Sequence, residues 1–302
     1  MFKRTAVIGL LFLLSQFIPG DAFGYVLTHT NQSWCVSSFP TSYVAGSFTI
    51  TESTNGEFKR NQNNRTLFFD APAGFQFNTT AGTFSVTRTG TTDITAISIA
   101  ATSTTRLTVT LTTPNATQVQ INSITVNYQV RATAAGLLSK IIRNGGTFRI
   151  ANSTAKPTAA QSLGDLLAEQ SMAFTSCTTN QPITSNAPQG TIDNVIIQIP
   201  VVVTGTCNPF SVTQFDFNTD GGNGTGTNNP TSNITTARVY YSGTTNSFSP
   251  TGVFGSFNSP NGAFSITGSQ ALVQGTNYFW LVYDLPTTAI VGNLLDAQCT
   301  GV

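Results

Sequence analysis

From Val44 to Val130 apolar and polar residues alternate in short runs: Ser47 to Ile50, Thr66 to Phe69, Thr83 to Thr87, Ile94 to Ala100 and Arg106 to Leu111. A period of two throws successive side chains to opposite faces of an extended chain, so each run reads as a half-buried β-strand. Turn formers separate them: Thr54-Asn55-Gly56, Ala71-Pro72-Ala73-Gly74, Arg88-Thr89-Gly90 and Thr113-Pro114-Asn115. Short alternating strands with regular turn signals form the pattern of a β-sandwich. The 22 Phe and the abundant Thr, Asn and Ser agree, since they favour pleated surfaces and tight turns over helices. One segment breaks the rhythm. At Ala159 to Gln170, Leu163, Leu166 and Leu167 share a helical face, which predicts a single surface helix or an irregular crossing between domains.

The second half carries a different signal. Ile192 to Thr204 includes Val195, Ile196, Ile197, Ile199, Val201, Val202 and Val203, as a strand buried on both faces does. Pro200 within it cannot donate to a ladder, and is expected to mark a bulge or a switch between sheets. Further strands are expected at Phe210 to Phe217, Ala237 to Tyr241, Ala263 to Thr267 and Tyr278 to Tyr283, giving a second sandwich. The polar stretch from Cys177 to Pro188 reads as a linker. The chain of 302 residues exceeds the roughly 100 to 200 that one domain usually organises. The fold class expected is therefore all-β, two tandem immunoglobulin-like β-sandwiches over residues 25–176 and 190–302, joined by a linker at 177–189. Charge divides in the same place: residues 25–170 hold ten Lys or Arg against six Asp or Glu, and residues 171–302 hold one Arg against five Asp. With 8% charged residues and a net charge of +1, the chain is not built for nucleic acid.

Residues 1–24 read as a cleaved secretory signal peptide: Lys3 and Arg4, an apolar run from Ala6 to Phe17, then small residues at Gly20, Ala22 and Gly24. The run is too short for a bilayer span, which needs about 20 residues, and no later stretch is long enough. The mature chain is expected to start near Phe23 or Tyr25, outside the cell or on its surface. Four cysteines in an exported chain suggest two bridges, with three connectivities open. The pairing expected is Cys35 with Cys177 and Cys207 with Cys299, which keeps each bridge inside one domain. A metal site is not expected, because no Cys-x-x-Cys occurs and His29 is the single histidine.

Several residues of the second half carry a family pattern. They are Ala237-Arg238-Val239-Tyr240-Tyr241, Gly243-Thr244, Asn246-x-Phe248, Phe254-Gly255, Phe264-x-Ile266-x-Gly268-Ser269-Gln270, Gly275-Thr276-Asn277-Tyr278-Phe279-Trp280-Leu281-x-Tyr283-Asp284 and Val291-Gly292-Asn293-x-x-Asp296-Ala297. From near Gly190 onward the chain resembles the N-terminal associated domain of BNR-repeat neuraminidases, a module of exported bacterial surface proteins. Residues 40–150 more loosely resemble an immunoglobulin-like domain of such proteins, through Glu52, Phe58, Ala71 to Phe77, Val130-Arg131-Ala132 and Gly145-Gly146-Thr147. The resemblance implies a sandwich fold and an accessory role. The Asp-box repeats of a neuraminidase propeller do not occur here.

Catalytic chemistry is not gathered in the sequence, and no catalytic residue, metal ligand or cofactor is expected. After Glu169 there is no Glu, after Lys156 no Lys, no His follows His29, and Arg238 is the one Arg of the second unit. Phe148-Arg149-Ile150 echoes a sialidase motif, but Ala151 follows it, and a strand with an outward Arg explains it. Asp216-x-Asn218-x-Asp220-Gly221 matches the first half of a calcium loop, whereas Thr227 stands where a bidentate Glu belongs. A strand ending in a turn is the plainer reading, and whether that turn takes calcium stays open. Gly222-x-Gly224-x-Gly226 has no following helix or Lys and reads as a flexible turn. Tyr240, Tyr241, Tyr278, Trp280 and Tyr283 could line a sugar-stacking face, but alternation sends Tyr278 and Trp280 to one side of their strand and Phe279, Leu281 and Tyr283 to the other, so one set is core. The function expected is a non-catalytic secreted or surface module for adhesion, glycan or protein binding, or spacing, with surface glycans or proteins as partners. The alternatives are the accessory front of an exo-sialidase whose propeller lies beyond Val302, and a surface filament subunit.

Overall fold

The alternating runs of the first half become strands because each buries one face. The computed structural model describes residues 25–150, 158–220 and 226–302, and contacts divide the chain into two units between Glu169 and Gln170. The signal-peptide reading of residues 1–24 lies outside the described residues. The first unit contains β1 (Tyr25–His29), β2 (Gln32–Val36), β3 (Val44–Glu52), β4 (Gln62–Asp70), β5 (Phe75–Phe77), β6 (Ser85–Arg88), β7 (Ala96–Ser103), β8 (Arg106–Thr113), β9 (Ser123–Ala132), β10 (Gly136–Gly146) and β11 (Thr158–Gln170). Among the described residues they form two antiparallel sheets. One runs β1-β3-β9-β5, with β6 sharing the β9 edge with β5; the other runs β2-β11-β10-β4-β8-β7.

Between the sheets lies a phenylalanine-rich core. Phe48 of β3 meets Phe69 of β4 at a 4.7 Å centroid distance, and Phe77 meets Tyr128 edge-on at 5.6 Å. In β8 the alternation is carried out as read: Leu107, Val109 and Leu111 are buried between half-exposed threonines. Two buried carboxylates serve the loops at the rim. Glu52 accepts from the Phe58 amide at 2.5 Å and from the amide and side chain of Asn122 at 2.8 and 2.7 Å. Asp93 accepts from the amides of Val119 and Gln120 at 3.1 and 3.2 Å. Gly146 is required where β10 meets β4, since φ is +110° and a Cβ would stand 2.1 Å from the Thr66 carbonyl oxygen.

The expected helix at Ala159 to Gln170 is instead β11, hydrogen-bonded to β10. Lys140 pairs with Asp165 and Ile142 with Ser162, so β11 spends one residue more than β10 between those points. That bulge at Gly164 rephases the alternation and lets Leu163 and Leu166, three apart, both face the core. A three-residue spacing produced by a bulged strand imitates a helical face.

The second unit contains β12 (Ala173–Cys177), β13 (Asn194–Thr204), β14 (Ser211–Asn218), the short helix α1 (Pro230–Asn233), β15 (Thr236–Tyr241), β16 (Val253–Asn258), β17 (Ala263–Ala271), β18 (Gly275–Asp284) and β19 (Gln298–Gly301). Its sheets run β12-β13-β18-β15-β16 and β17-β14-β19. Phe279 stands at the centre, 4.9 Å from Phe215, 5.8 Å from Phe254 and 4.8 Å from Tyr241, measured between ring centroids. β12 pairs with β13, so the unit begins before the expected 190, and residues 177–189 are no linker. Asn180 exchanges backbone hydrogen bonds with Gln198 at 2.9 and 2.8 Å, which lays that segment along β13.

Pro200 marks neither a bulge nor a change of sheet. It stands in register opposite Tyr278, and the bulge of β13 falls between Val195 and Ile197. Tyr278 spends its own amide and carbonyl on Gly243 and Ser242 across the strand, so Pro200 meets it as a non-hydrogen-bonded pair and no donor is lost there. The cysteine pairing also differs from expectation: Cys35 and Cys207 are each disulfide-bonded, but Cys177 and Cys299, their expected partners, are free thiols. Within the second unit Cys207 and Cys299 are held on different elements: Cys207 donates its amide to the Gln170 carbonyl and accepts from the Met172 amide, whereas Cys299 lies in β19 opposite Phe217.

Truncating Phe279 to Ala is expected to destabilise the second unit by about 3 to 5 kcal/mol, read as a lower urea midpoint. A second expectation concerns acid. Partial burial pushes the Asp70 carboxyl up, but the bonds from Arg106, both at 2.6 Å, and from Asn144, with the Arg106 charge, more than offset this and hold it below its ordinary value. Its contribution is present above the unfolded value of about 3.9 and is lost as pH falls through the folded value. Asp70→Asn is expected to lower stability at neutral pH and to flatten its fall below about pH 4. Urea titrations at a series of pH values read both, and an unchanged slope refutes the assignment.

Candidate functional site

β13 and β18 are apolar on both faces, and the two faces meet different partners. Phe279, Leu281 and Tyr283 enter the main core, while Val195, Tyr240, Trp280 and Val282 form a second cluster on the outer face, with Phe248 and Tyr278 packed on it. Trp280 donates its indole N–H to Ser242 Oγ at 2.8 Å, and Phe248 stands edge-on to both Trp280 and Tyr240. Trp280 and Tyr240 are each 5% exposed, so neither offers an open ring face to a sugar. The five aromatic residues of the candidate stacking surface are thus dispersed: Tyr241 and Tyr283 face the core, Tyr240 and Trp280 are covered, and Tyr278 is half-buried. Burial pushes the Tyr241 phenol up, and Tyr241 donates to Asn277 Oδ1 at 2.9 Å.

Beside this cluster sits a charged knot. Arg238 grips Asp284 through both guanidinium ends and reaches Asp193 at 3.2 Å. Tyr240 donates to Asp193 Oδ1 at 2.9 Å, and the Asp193 amide donates to Asp284 at 3.0 Å. The bond to Asp284 holds the Arg238 guanidinium above its ordinary value, and burial, then Asp193, pushes the Tyr240 phenol up. Asp284 spends both oxygens on this knot and Asp193 its Oδ1, which fixes the start of β13 to β15 and β18. Arg238, Tyr240 and Asp284 are among the residues that carry the family resemblance, and here their contacts are with one another.

Next to the knot opens a groove of about 1050 Å³. Its floor is Asp193 to Ile196, Phe248 and Leu285, and its walls are residues 181–189 and 289–295. The first wall is a strap fastened at both ends. Asn180 Nδ2 donates to Gln198 Oε1 at 3.1 Å and Gln198 Nε2 donates to Asn246, a chain of amides under one end; Gln189 donates to the Ala289 carbonyl at the other. The second wall is held by Asn233, which accepts from the Ile290 amide at 2.7 Å, and by Asn228, which accepts from the Leu294 amide at 3.0 Å. The rim is aliphatic, with Ile183, Ile290, Val291 and Leu294 exposed by 46, 50, 82 and 45%. The buried Asn293 Nδ2 in this wall has no hydrogen-bond partner. Neutral amides and aliphatic side chains thus dominate, and Asp193, the charged residue lining the groove, is already paired.

The other singled-out motifs lie apart from it. Phe148 and Ile150 are buried with Arg149 outward, but the segment follows the end of β10 and is no strand; Ile150 makes an isolated bridge with Phe58. Asp216 and Asn218 alternate with buried Phe215 and Phe217 in β14; Asp216 Oδ1 accepts from Gln214 and Ser265, both at 2.6 Å, and Asn218 caps the Asp220 amide at 3.0 Å. Among the described residues no three His, Cys, Asp or Glu side chains gather as metal ligands, while residues 221–225, which complete the calcium pattern and include Gly222 and Gly224, lie outside them. Sequence reasoning passed over Asp193, Asn228, Asn233 and the strap. A detectable signal was the density of Asn and Gln between 180 and 198 and again near 230, which reads as loop composition until the loops are seen to be fastened.

No family model and no curated protein matches the chain. Among the described residues no helix is long and apolar enough to cross a membrane. Solved structures give distant likenesses. The collagen-binding domain of a Staphylococcus aureus adhesin aligns at 14% identity over 49% of this chain and 99% of its own, with a TM-score of 0.29. The full-length RrgB pilus protein of Streptococcus pneumoniae aligns at 11% identity over 84% of this chain, with a TM-score of 0.24. This chain spans 32% of that pilus protein's length. At these scores the likeness assigns neither family nor role, and what the chain is rests on its own architecture, two stacked-sheet units of nearly all-β structure.

Proposed function

We propose that this is a non-catalytic, exported surface module whose second unit holds a neutral, extended stretch of another polypeptide in the groove between residues 181–189 and 289–295. The observation that carries the reading is the lining: side-chain amides that match a peptide backbone, a buried unpaired donor at Asn293, and a rim of exposed aliphatic side chains. A charged ligand finds no counter-charge there, because Arg238 already serves Asp193 and Asp284. Asp193 at the groove and Asp284 beside it are held by the same arginine, which leaves them poorly placed as a separated acid and base pair.

Arrays of neutral twelve-residue peptides and of glycans, both probed with the full chain, test this. Peptide binding is expected, and Val291→Arg or Asn293→Leu is expected to weaken it about tenfold or more, corresponding to about 1.4 kcal/mol, with unchanged thermal stability. Glycan binding without peptide binding, or peptide binding indifferent to both substitutions, refutes the reading. The resemblance across Ala237 to Asp296 supports a second reading, an accessory region of an exo-sialidase. Asp boxes with clustered arginines encoded downstream would favour it, and a stop codon there would end it.

A further inference from the structure

Cys177 ends β12 directly opposite Val201, and Cys299 lies in β19 directly opposite Phe217. Directly opposed residues of antiparallel strands point to the same face, and Val201 and Phe217 are both 1% exposed in the main core of the second unit. Both cysteines therefore face the space between the two sheets, and both pack against that core. β12 and β19 are the lateral strands of facing sheets. On the other side of the sandwich β16 and β17 touch: a Cβ on Gly255 would stand 2.3 Å from the Thr267 carbonyl oxygen, and one on Gly268 would stand 2.3 Å from that of Phe254. With that side closed by β16 and β17, the remaining lateral strands β12 and β19 come together on the opposite side. Burial pushes the Cys299 thiol up to about 12, and the Cys177 sulfur nearby adds to the rise.

We propose that Cys177 and Cys299 form a second disulfide, which clamps the two sheets of this unit along their open side. Cys35 and Cys207 are already disulfide-bonded, so this is the pairing that leaves no unpaired thiol in an oxidising compartment. The oxidant is a small disulfide such as oxidised glutathione. One cysteine thiolate attacks it, forming a mixed disulfide and releasing one glutathione thiol; the second cysteine displaces the other. Two protein thiols and one glutathione disulfide become one protein disulfide and two glutathione thiols. Because burial keeps Cys299 protonated once the sheets have closed, the exchange takes place during folding.

The test uses the full chain, folded in a mixture of oxidised and reduced glutathione, denatured without reductant and alkylated. The expected result is no alkylated cysteine and a linked peptide pair containing Cys177 and Cys299. Alkylation of both, or a link from Cys299 to Cys207, overturns the proposal. Cys177→Ser gives a second measurement: it is expected to free one thiol and to lower the urea midpoint of oxidised protein, with little change under reductant. An equal loss in both conditions means the sulfur contributes packing and no bond.

Discussion

Apolar side chains on both faces of β13 and β18 oblige the second unit to cover its central strands twice. The facing sheet covers one side, where Phe279 packs on Phe215 and Phe254. On the other side, among the described residues of this unit, no second sheet lies, and Trp280, Tyr240 and Val282 are packed against Phe248 and Tyr278. Leaving such side chains in water costs about 1.5 to 3 kcal/mol each, which sets the scale of the drive for loop and strap to fold down. The groove is what remains between these coverings. Its lining follows from its origin, since segments without strand periodicity bring turn-forming amides as well as the aliphatic residues that happen to face outward.

The first unit solves a different problem. Its strands bury one face each, and the cost lies at the ends of the sandwich, where loops cross with unpaired amides. Glu52 and Asp93 reach into those crossings and accept the amides of Phe58, Asn122, Val119 and Gln120. A carboxylate accepting several N–H groups is well satisfied without a cation, and it ties together loops distant in sequence. Glu52 entered the sequence reading as part of a family pattern; its contacts show a structural reason for an acid at that position.

Strand content and the two-unit division were legible because alternation is a local property, visible in Leu107, Val109 and Leu111 without knowing their partners. What misled was any feature whose meaning depends on a neighbouring strand. The spacing of Leu163 and Leu166 imitates a helix until the extra residue at Gly164 is seen against β10. Pro200 reads as a disruption until its partner, Tyr278, is seen bonding the other way. Residues 177–189 look like a linker because the pairing of Asn180 with Gln198 is invisible in composition. The candidate site was less legible than the fold for the same reason: alternation in Tyr278 to Tyr283 correctly sent aromatic side chains into the core, but nothing in the sequence pointed to the groove, whose open surface is built from asparagine, glutamine and aliphatic residues that carry no motif.

The strap is fastened under one end by Asn180, Gln198 and Asn246, and at the other by Gln189 on a backbone carbonyl. None of these groups ionises between strong acid and strong alkali, and none is a full charge that dissolved ions could shield. The wall of the groove is therefore indifferent to acidity and salinity, although the arginine knot beside it is not. Shifts of acidity or ionic strength around the protein leave that wall in place, since dipoles alone hold it.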